Sequence, residues 1–283
     1  MYMMLECRPD TYQGWYQQGE ELRKEENYEE ALFSYEKAIQ YHTQDYWAHY
    51  RKAGVLEALK RYREAIATYQ EAADIKPDNY WAWYEQGCIY LDELAEYENA
   101  IACFSQALKR KPQDYWVTYR LGEAYRCNRE YELAIVYYDT AISLRPDDYW
   151  AYFRKAETLQ QWEKWQKALA SYDKALELRP DDFWVYLEKG KIWERLANYA
   201  EAINCYQEAL NIEPQSEQIL YYLACCYAQL NKPNWAITYL EKAIILYPSK
   251  YLKAAVQDRV WTEYQERKGF QSLIAKKKQQ YRC

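Results

Sequence analysis

A chain of 283 residues that is 50% hydrophobic but holds only seven glycines and eight prolines has little room for linkers or glycine-rich loops; it is one or two globular domains, or one elongated array. A net charge of −6 argues against a general polyanion binder. Eight cysteines show no CxxC pair and no His/Cys ligand spacing, so they read as small core residues of a reducing compartment rather than as disulfides or metal ligands.

The opening stretch, residues 1–11, reads as an N-terminal extension. Its apolar run is too short for a signal peptide, and no later segment approaches the roughly 18 consecutive apolar residues of a membrane span, so a soluble, cytoplasmic chain is expected. From Tyr12 the chain repeats itself. The aromatic doublets Tyr46-Trp47, Tyr80-Trp81, Tyr115-Trp116, Tyr149-Trp150 and Phe183-Trp184 recur at intervals of 34, 35, 34 and 34 residues. A fixed period in that range signals stacked supersecondary units. Seven units follow: 12–45, 46–79, 80–114, 115–148, 149–182, 183–216 and 217–250. The third is one residue longer, and the extra residue is expected in the turn around Glu93 to Tyr97, where it does least harm.

Small residues stand in register. The eighth position is Gly19, Ala53, Gly87, Gly122, Ala156, Gly190 or Ala224. Alanine recurs without exception at 31, 65, 100, 134, 168, 202 and 236, and again seven residues further on. Between these alanines stands Tyr35, Tyr69, Phe104, Tyr138, Tyr172, Tyr206 or Leu240. Small residues let a neighbouring helix approach, and the ring fills the space beside them, so each unit is a helical hairpin. Proline near the end of six units stops the second helix. Two residues later Asp45, Asn79, Asp114, Asp148, Asp182 or Ser216 supplies an N-cap, and the doublet opens the next helix.

These residues resemble the tetratricopeptide repeat, a 34-residue helix-turn-helix unit with Trp, Leu-Gly, Tyr, Ala, an aromatic, Ala and Pro at fixed offsets. The resemblance covers Tyr12 to Lys250. The usual Trp at the fourth position is present only as Trp15 and Trp83. The doublet itself is a departure, similar to repeats common in cyanobacterial proteins. The fold implied is all-α, a right-handed superhelical solenoid. Residues 251–283 keep helical periodicity at Leu252, Val256, Val260, Trp261 and Tyr264 and then turn basic; they read as a capping helix and a basic tail. From Tyr251 on the net charge is +5, against −11 for the rest.

The family packs the fourth, eighth and eleventh positions, so Trp83, Tyr90, Tyr125, Tyr152 and Trp193 are expected in the core. The second, fifth, sixth, ninth, twelfth and thirteenth positions of the family line a concave groove. The resemblance therefore places Trp47, Trp81, Trp116, Trp150 and Trp184, with Tyr50, Tyr84, Tyr119, Phe153, Glu123, Arg126 and Lys191, on a partner-binding face. Two readings of the tryptophans stand: glue between repeats, or an aromatic track for a partner segment. The Lys and Asn set with which related co-chaperones clamp a C-terminal carboxylate is missing.

No phosphate loop, nucleophile elbow or metal set is present, and His42 and His49 are too few for a triad. The expectation is a non-catalytic protein-interaction scaffold without cofactor or metal, binding a protein or peptide. The alternatives are a helical-repeat RNA-binding protein, which the acidic body opposes, and a peripheral adaptor of a membrane complex using the basic tail.

Overall fold

The structure, a computed structural model, describes residues 10–281. Cys7, Arg282, Cys283 and most of the N-terminal extension lie outside the described residues. Among the described residues every regular element is a helix, and the chain forms two compact units, one up to Pro146 and one from Asp147.

The first unit holds four hairpins: α1 (Tyr12–Lys24) with α2 (Tyr28–Tyr41), α3 (Tyr46–Ala58) with α4 (Tyr62–Ile75), α5 (Trp81–Cys88) with α6 (Tyr97–Arg110), and α7 (Tyr115–Cys127) with α8 (Tyr131–Leu144). The second holds α9 (Tyr149–Gln161) with α10 (Trp165–Leu178), α11 (Phe183–Arg195) with α12 (Tyr199–Ile212), and α13 (Glu217–Gln229) with α14 (Pro233–Leu246). Within each unit every helix packs on the next in sequence.

The caps act as the sequence implies. Asp45, Asp114, Asp148 and Asp182 each accept a hydrogen bond from the backbone N–H three residues on, at 2.7 to 3.2 Å, satisfying a donor that the first helical turn leaves free. Asn79 instead accepts from Trp81 N, because α5 starts one residue later than its counterparts. Ser216 makes no side-chain cap bond.

Each hairpin turns on a residue with left-handed backbone: Glu26, Lys60, Ala95, Arg129, Glu163, Ala197 or Asn231. At Ala197, φ is 56°; its N–H bonds to Glu194 O at 2.9 Å and the next N–H to Trp193 O at 2.9 Å, the paired bonds that close a helix on a left-handed residue. That conformation crowds a Cβ, and glycine relieves it. Ala197→Gly is therefore expected to raise unfolding free energy by about 0.5–1 kcal/mol after the greater freedom of glycine in the unfolded chain is deducted; chemical denaturation of the pair checks it.

The extra residue of the third unit does not lie in the turn. Residues Ile89–Glu93 form a π-helix at the end of α5, with Leu94 N bonded to Ile89 O at 3.2 Å. Inserted one residue inside the helix, it widens one turn and leaves the hairpin connection its usual shape.

Helix A of a hairpin is buried on two opposite sides. At about 100° per residue the first, fifth, eighth and twelfth positions lie together, and the third and tenth lie on the far side. The third and tenth positions of units two to seven are all fully buried: Ala48 and Val55, Ala82 and Ile89, Val117 and Ala124, Ala151 and Thr158, Val185 and Ile192, Ile219 and Cys226. Trp83, Tyr90, Tyr125, Tyr152 and Trp193, expected in the core, are only partly buried. Their positions fall between the two packed sides.

The cap is more than one helix. α15 (Pro248–Gln257), a 3₁₀ turn over Arg259–Tyr264 and α16 (Lys268–Tyr281) follow α14. The break at Asp258 shifts the helical phase, so Leu252, Trp261 and Tyr264 are buried while Val256 is exposed. The basic stretch is helical, and Lys277 is buried, 3.0 Å from the Glu241 carboxylate.

Candidate functional site

Four of the five aromatic doublets split into a buried ring and an exposed one; in the Tyr80-Trp81 doublet the tyrosine is half-buried. Tyr46, Tyr115, Tyr149 and Phe183 are buried at the first position of their helices. A cation near the end of the same hairpin covers several of these rings: Lys76 over Tyr46 at 5.6 Å, Lys111 over Tyr80 at 4.6 Å, Arg145 over Tyr115 at 4.4 Å and Arg179 over Tyr149 at 4.2 Å. The adjoining indoles, Trp47, Trp81 and Trp116 in the first unit and Trp150 and Trp184 in the second, are between 42% and 61% exposed. Arg145 also reaches Trp116, and Arg179 reaches Trp150.

The fifth-position rings do not share that exposure. Tyr50 stacks on Tyr46 at 5.7 Å, Tyr119 on Tyr115 at 6.0 Å and Phe153 on Tyr149 at 5.7 Å. Trp47, Trp81, Trp116 and Trp150 stand edge-on to Tyr50, Tyr84, Tyr119 and Phe153 respectively. Tyr119 and Phe153 are buried, and Tyr50 and Tyr84 are half-buried. The sequence placed all of them on one face with the tryptophans; their angular position, on the edge of the side that meets helix B, explains the difference.

In four hairpins the tyrosine between the paired alanines delivers its hydroxyl to the polar side. Tyr35 donates to Glu20 at 2.6 Å, Tyr69 to Glu57 at 3.3 Å, Tyr172 to Gln160 at 2.9 Å and Tyr206 to Glu194 at 2.7 Å. Further bonds join neighbouring hairpins: Tyr50 to Glu85 at 2.9 Å and Gln160 to Glu188 at 2.7 Å. Glu188 also holds Lys191 at 2.7 Å. Glu123 is buried and paired with Arg120 at 2.9 Å. Arg126 lies half-buried beside the Tyr138 ring.

In the first unit, burial and then the carboxylates of Glu85, Glu93 and Asp92 push the Glu57 carboxyl up to about 7. A carboxyl whose folded pKa exceeds its ordinary value contributes stability that is complete below that ordinary value and lost as pH rises through about 7. Glu57→Gln should therefore melt with the wild type near pH 4 and above it near pH 8. Thermal melts across that interval check it, and a variant that tracks the wild type throughout refutes it.

The second unit contains a cleft of about 830 Å³ walled by Glu157, Gln160, Glu188, Lys191, Glu194, Arg195, Tyr222, Cys225 and Asp258, among others. Lys191 of the sequence-derived site lines it; Trp150 and Trp184 do not. Gln160, Tyr222 and Asp258 were not singled out from the sequence. Gln160 stands at the twelfth position, where Glu57 and Glu194 also sit, which was the available signal. Asp258 had none, since it depends on where the cap breaks.

Burial pushes the Cys88, Cys103 and Cys225 thiols up to about 12 and Cys205 to about 11, away from the thiolate form. His49 has both ring nitrogens engaged, by Glu71 at 3.0 Å and by the Thr43 carbonyl at 3.1 Å. Among the described residues no three His, Cys, Asp or Glu side chains are grouped to hold a metal ion, and no helix is long and apolar enough to cross a membrane.

Comparison with known proteins gives the same architecture. Models described as tetratricopeptide repeat match residues 22–86, 84–149, 149–182 and 183–250. The C-terminal part of a TPR repeat-containing protein from Cytophaga hutchinsonii is 18% identical, covers 84% of this chain and 98% of its own, and has a TM-score of 0.73. YrrB, a TPR protein described as having an unusual peptide-binding site, is 22% identical over 66% of this chain and 95% of its own, with a TM-score of 0.57. MamA from Desulfovibrio magneticus RS-1, from residue 41 to its end, is 20% identical over 62% of this chain and 98% of its own, with a TM-score of 0.56. At these identities the likeness is one of fold. No curated protein sequence matches the chain. The four matches run almost end to end over residues 22–250, where paired helices carry the alanine and aromatic register of the repeat, and on that ground the chain belongs to the tetratricopeptide repeat family.

Proposed function

We propose that the chain is a non-catalytic, cytoplasmic protein-interaction scaffold of seven repeats that binds partner protein on the tryptophan side of the first helices of its hairpins. The observation that carries this reading is the exposure of Trp47, Trp81, Trp116, Trp150 and Trp184, beside buried first-position rings of similar size. Exposed indoles repeated at the second position of five hairpins are what an interface uses as anchors. Family membership supports a protein or peptide as the partner class.

The test is capture from the source cell's lysate with the wild-type chain and with a Trp81→Ala, Trp116→Ala, Trp150→Ala variant. Anchor residues contribute about 2 kcal/mol or more each, so a specific partner should be lost from the variant entirely. Its helicity and melting temperature should stay close to those of the wild type. A collapse in melting temperature would make the tryptophans structural instead, and retention of the same partner by a folded variant would refute the reading.

A further inference from the structure

The junction between α14 and α15 departs from its counterparts in the other hairpins. At the twenty-ninth position those hairpins carry Gln40, Asp74, Lys109, Ser143, Glu177 and Asn211, counted one later in the longer third unit. At the thirty-first they carry His42, Lys76, Lys111, Arg145, Arg179 and Glu213. The seventh hairpin has Ile245 and Tyr247 at these places, 50% and 52% exposed, with the exposed Leu246 between them. The polar residues elsewhere show that the repeat needs no apolar side chain at either position, so packing does not account for this run.

The cap that follows is one-sided in charge. α15 and α16 together hold Lys250, Lys253, Lys268, Lys276, Lys277 and Lys278 and no Asp or Glu. Lys277 turns inward to Glu241, and Lys250 lies 3.8 Å from Glu217. Lys253, Lys268, Lys276 and Lys278 are exposed and make no ion pair among the described residues. Lys250, Lys253 and Val256 share the outer side of α15, and the Lys250 ammonium reaches back over the Tyr247 ring at 5.9 Å. Between α15 and the end of α16 is an opening of about 370 Å³ walled by Leu252, Lys253, Val256 and Lys278 among others. An apolar run at a helix corner thus continues into an apolar opening rimmed by ammonium groups.

This combination fits a bilayer interface. Tyrosine and aliphatic side chains enter the headgroup boundary, while lysines lay their stems along it and carry their ammonium groups to the phosphates. A face without carboxylates of its own complements anionic lipid. A corner that presents three successive apolar side chains suits a yielding surface better than a rigid groove. The acidic remainder of the chain does not prevent contact at this end, because exposed charges farther off than about 8–10 Å are screened.

We infer that the Ile245–Tyr247 corner and the lysines of α15 and α16 form a docking face for an anionic membrane surface. It uses none of the tryptophans of the proposed partner side.

The full chain is sedimented with vesicles of phosphatidylcholine, with and without one-third phosphatidylglycerol, at low and high salt. It should pellet with the anionic vesicles and not with the neutral ones, and less so at high salt. A lysine near such a surface contributes about five-fold in affinity, so Lys253→Gln, Lys276→Gln and Lys278→Gln together should weaken binding about a hundred-fold. Ile245→Gln with Tyr247→Gln makes the corner polar, as it is in the other hairpins, and should leave the fold intact. It should weaken binding about ten-fold or more and keep the salt dependence. The Trp81→Ala, Trp116→Ala, Trp150→Ala variant should bind as the wild type does. Failure to pellet with anionic vesicles overturns the inference, as does undiminished binding by the lysine variant or the corner variant. Loss of binding by the tryptophan variant also overturns it, by moving the lipid contact to that row. Retention on immobilised polyglutamate without vesicle binding would give the face to an acidic protein instead.

Discussion

Trp261→Ala is expected to lower the unfolding free energy by about 3–5 kcal/mol, the cost of truncating a fully enclosed large aromatic. Trp261 is completely buried in the 3₁₀ turn of the cap. Its ring stacks on Phe270 at 5.6 Å, meets Tyr264 edge-on at 5.4 Å and lies 6.4 Å from Tyr221. Its Nε1–H donates to the Tyr221 hydroxyl at 3.1 Å, and that hydroxyl donates in turn to Asp258. One side chain thus joins α13 of the last hairpin to α16, and an alanine there leaves a cavity and an unpaired acceptor. In a stacked array each hairpin contacts only its neighbours, so the damage should be local. Hydrogen exchange should show early loss of protection in α13 to α16, with the helices of the first unit unchanged. Trp184→Ala, at the most exposed of the five indoles, provides the comparison and should cost less than about 0.5 kcal/mol. Equal losses for the two variants would mean that the cap and the exposed row are alike structural.

How far the sequence foretold this structure depends on how local each feature is. The hairpins were legible because caps, prolines and alanines act within a turn or two of where they stand, and the repetition of each signal removes its ambiguity. The side on which a residue finishes is a different matter, because it depends on how neighbouring hairpins stack. A single helical stripe can be read from spacing. The second buried stripe, through Ala48 and Val55 and their equivalents, exists only because each A helix is enclosed from two sides. Trp83 and Tyr125 were for that reason expected deeper than they lie, and Tyr119 and Phe153 shallower. The exposed indoles fell at their expected place because the second position points away from both packed sides.

Gly190→Ala tests the tightest glycine site among the described residues and is expected to destabilise by about 1–3 kcal/mol, the usual cost of overpacking. A Cβ at this position would lie 2.3 Å from Cε1 of Tyr206 and 2.7 Å from Cδ1 and Cζ. The ring has nowhere to go, since it is fully buried and its hydroxyl is fixed to Glu194 at 2.7 Å. Alanine is favoured over glycine inside a helix by about 1 kcal/mol, but that gain is smaller than the clash. Gly54→Ala isolates the propensity term. With only the Tyr69 hydroxyl at 3.5 Å from the new methyl, it should stabilise by up to about 1 kcal/mol. Alanine and the ring coexist in two other repeats, at Ala53 with Tyr69 and Ala156 with Tyr172, so the conflict belongs to the closer packing at Gly190; the seventh repeat, where Ala224 faces Leu240, suggests the rescue. Combining Gly190→Ala with Tyr206→Leu should therefore cost less than the sum of the two single changes, because each removes part of the other's conflict. Urea denaturation of the four chains measures that coupling. Strict additivity would mean that the Gly190 backbone has room to withdraw, and that alanine and glycine alternate at the eighth position for reasons other than the ring.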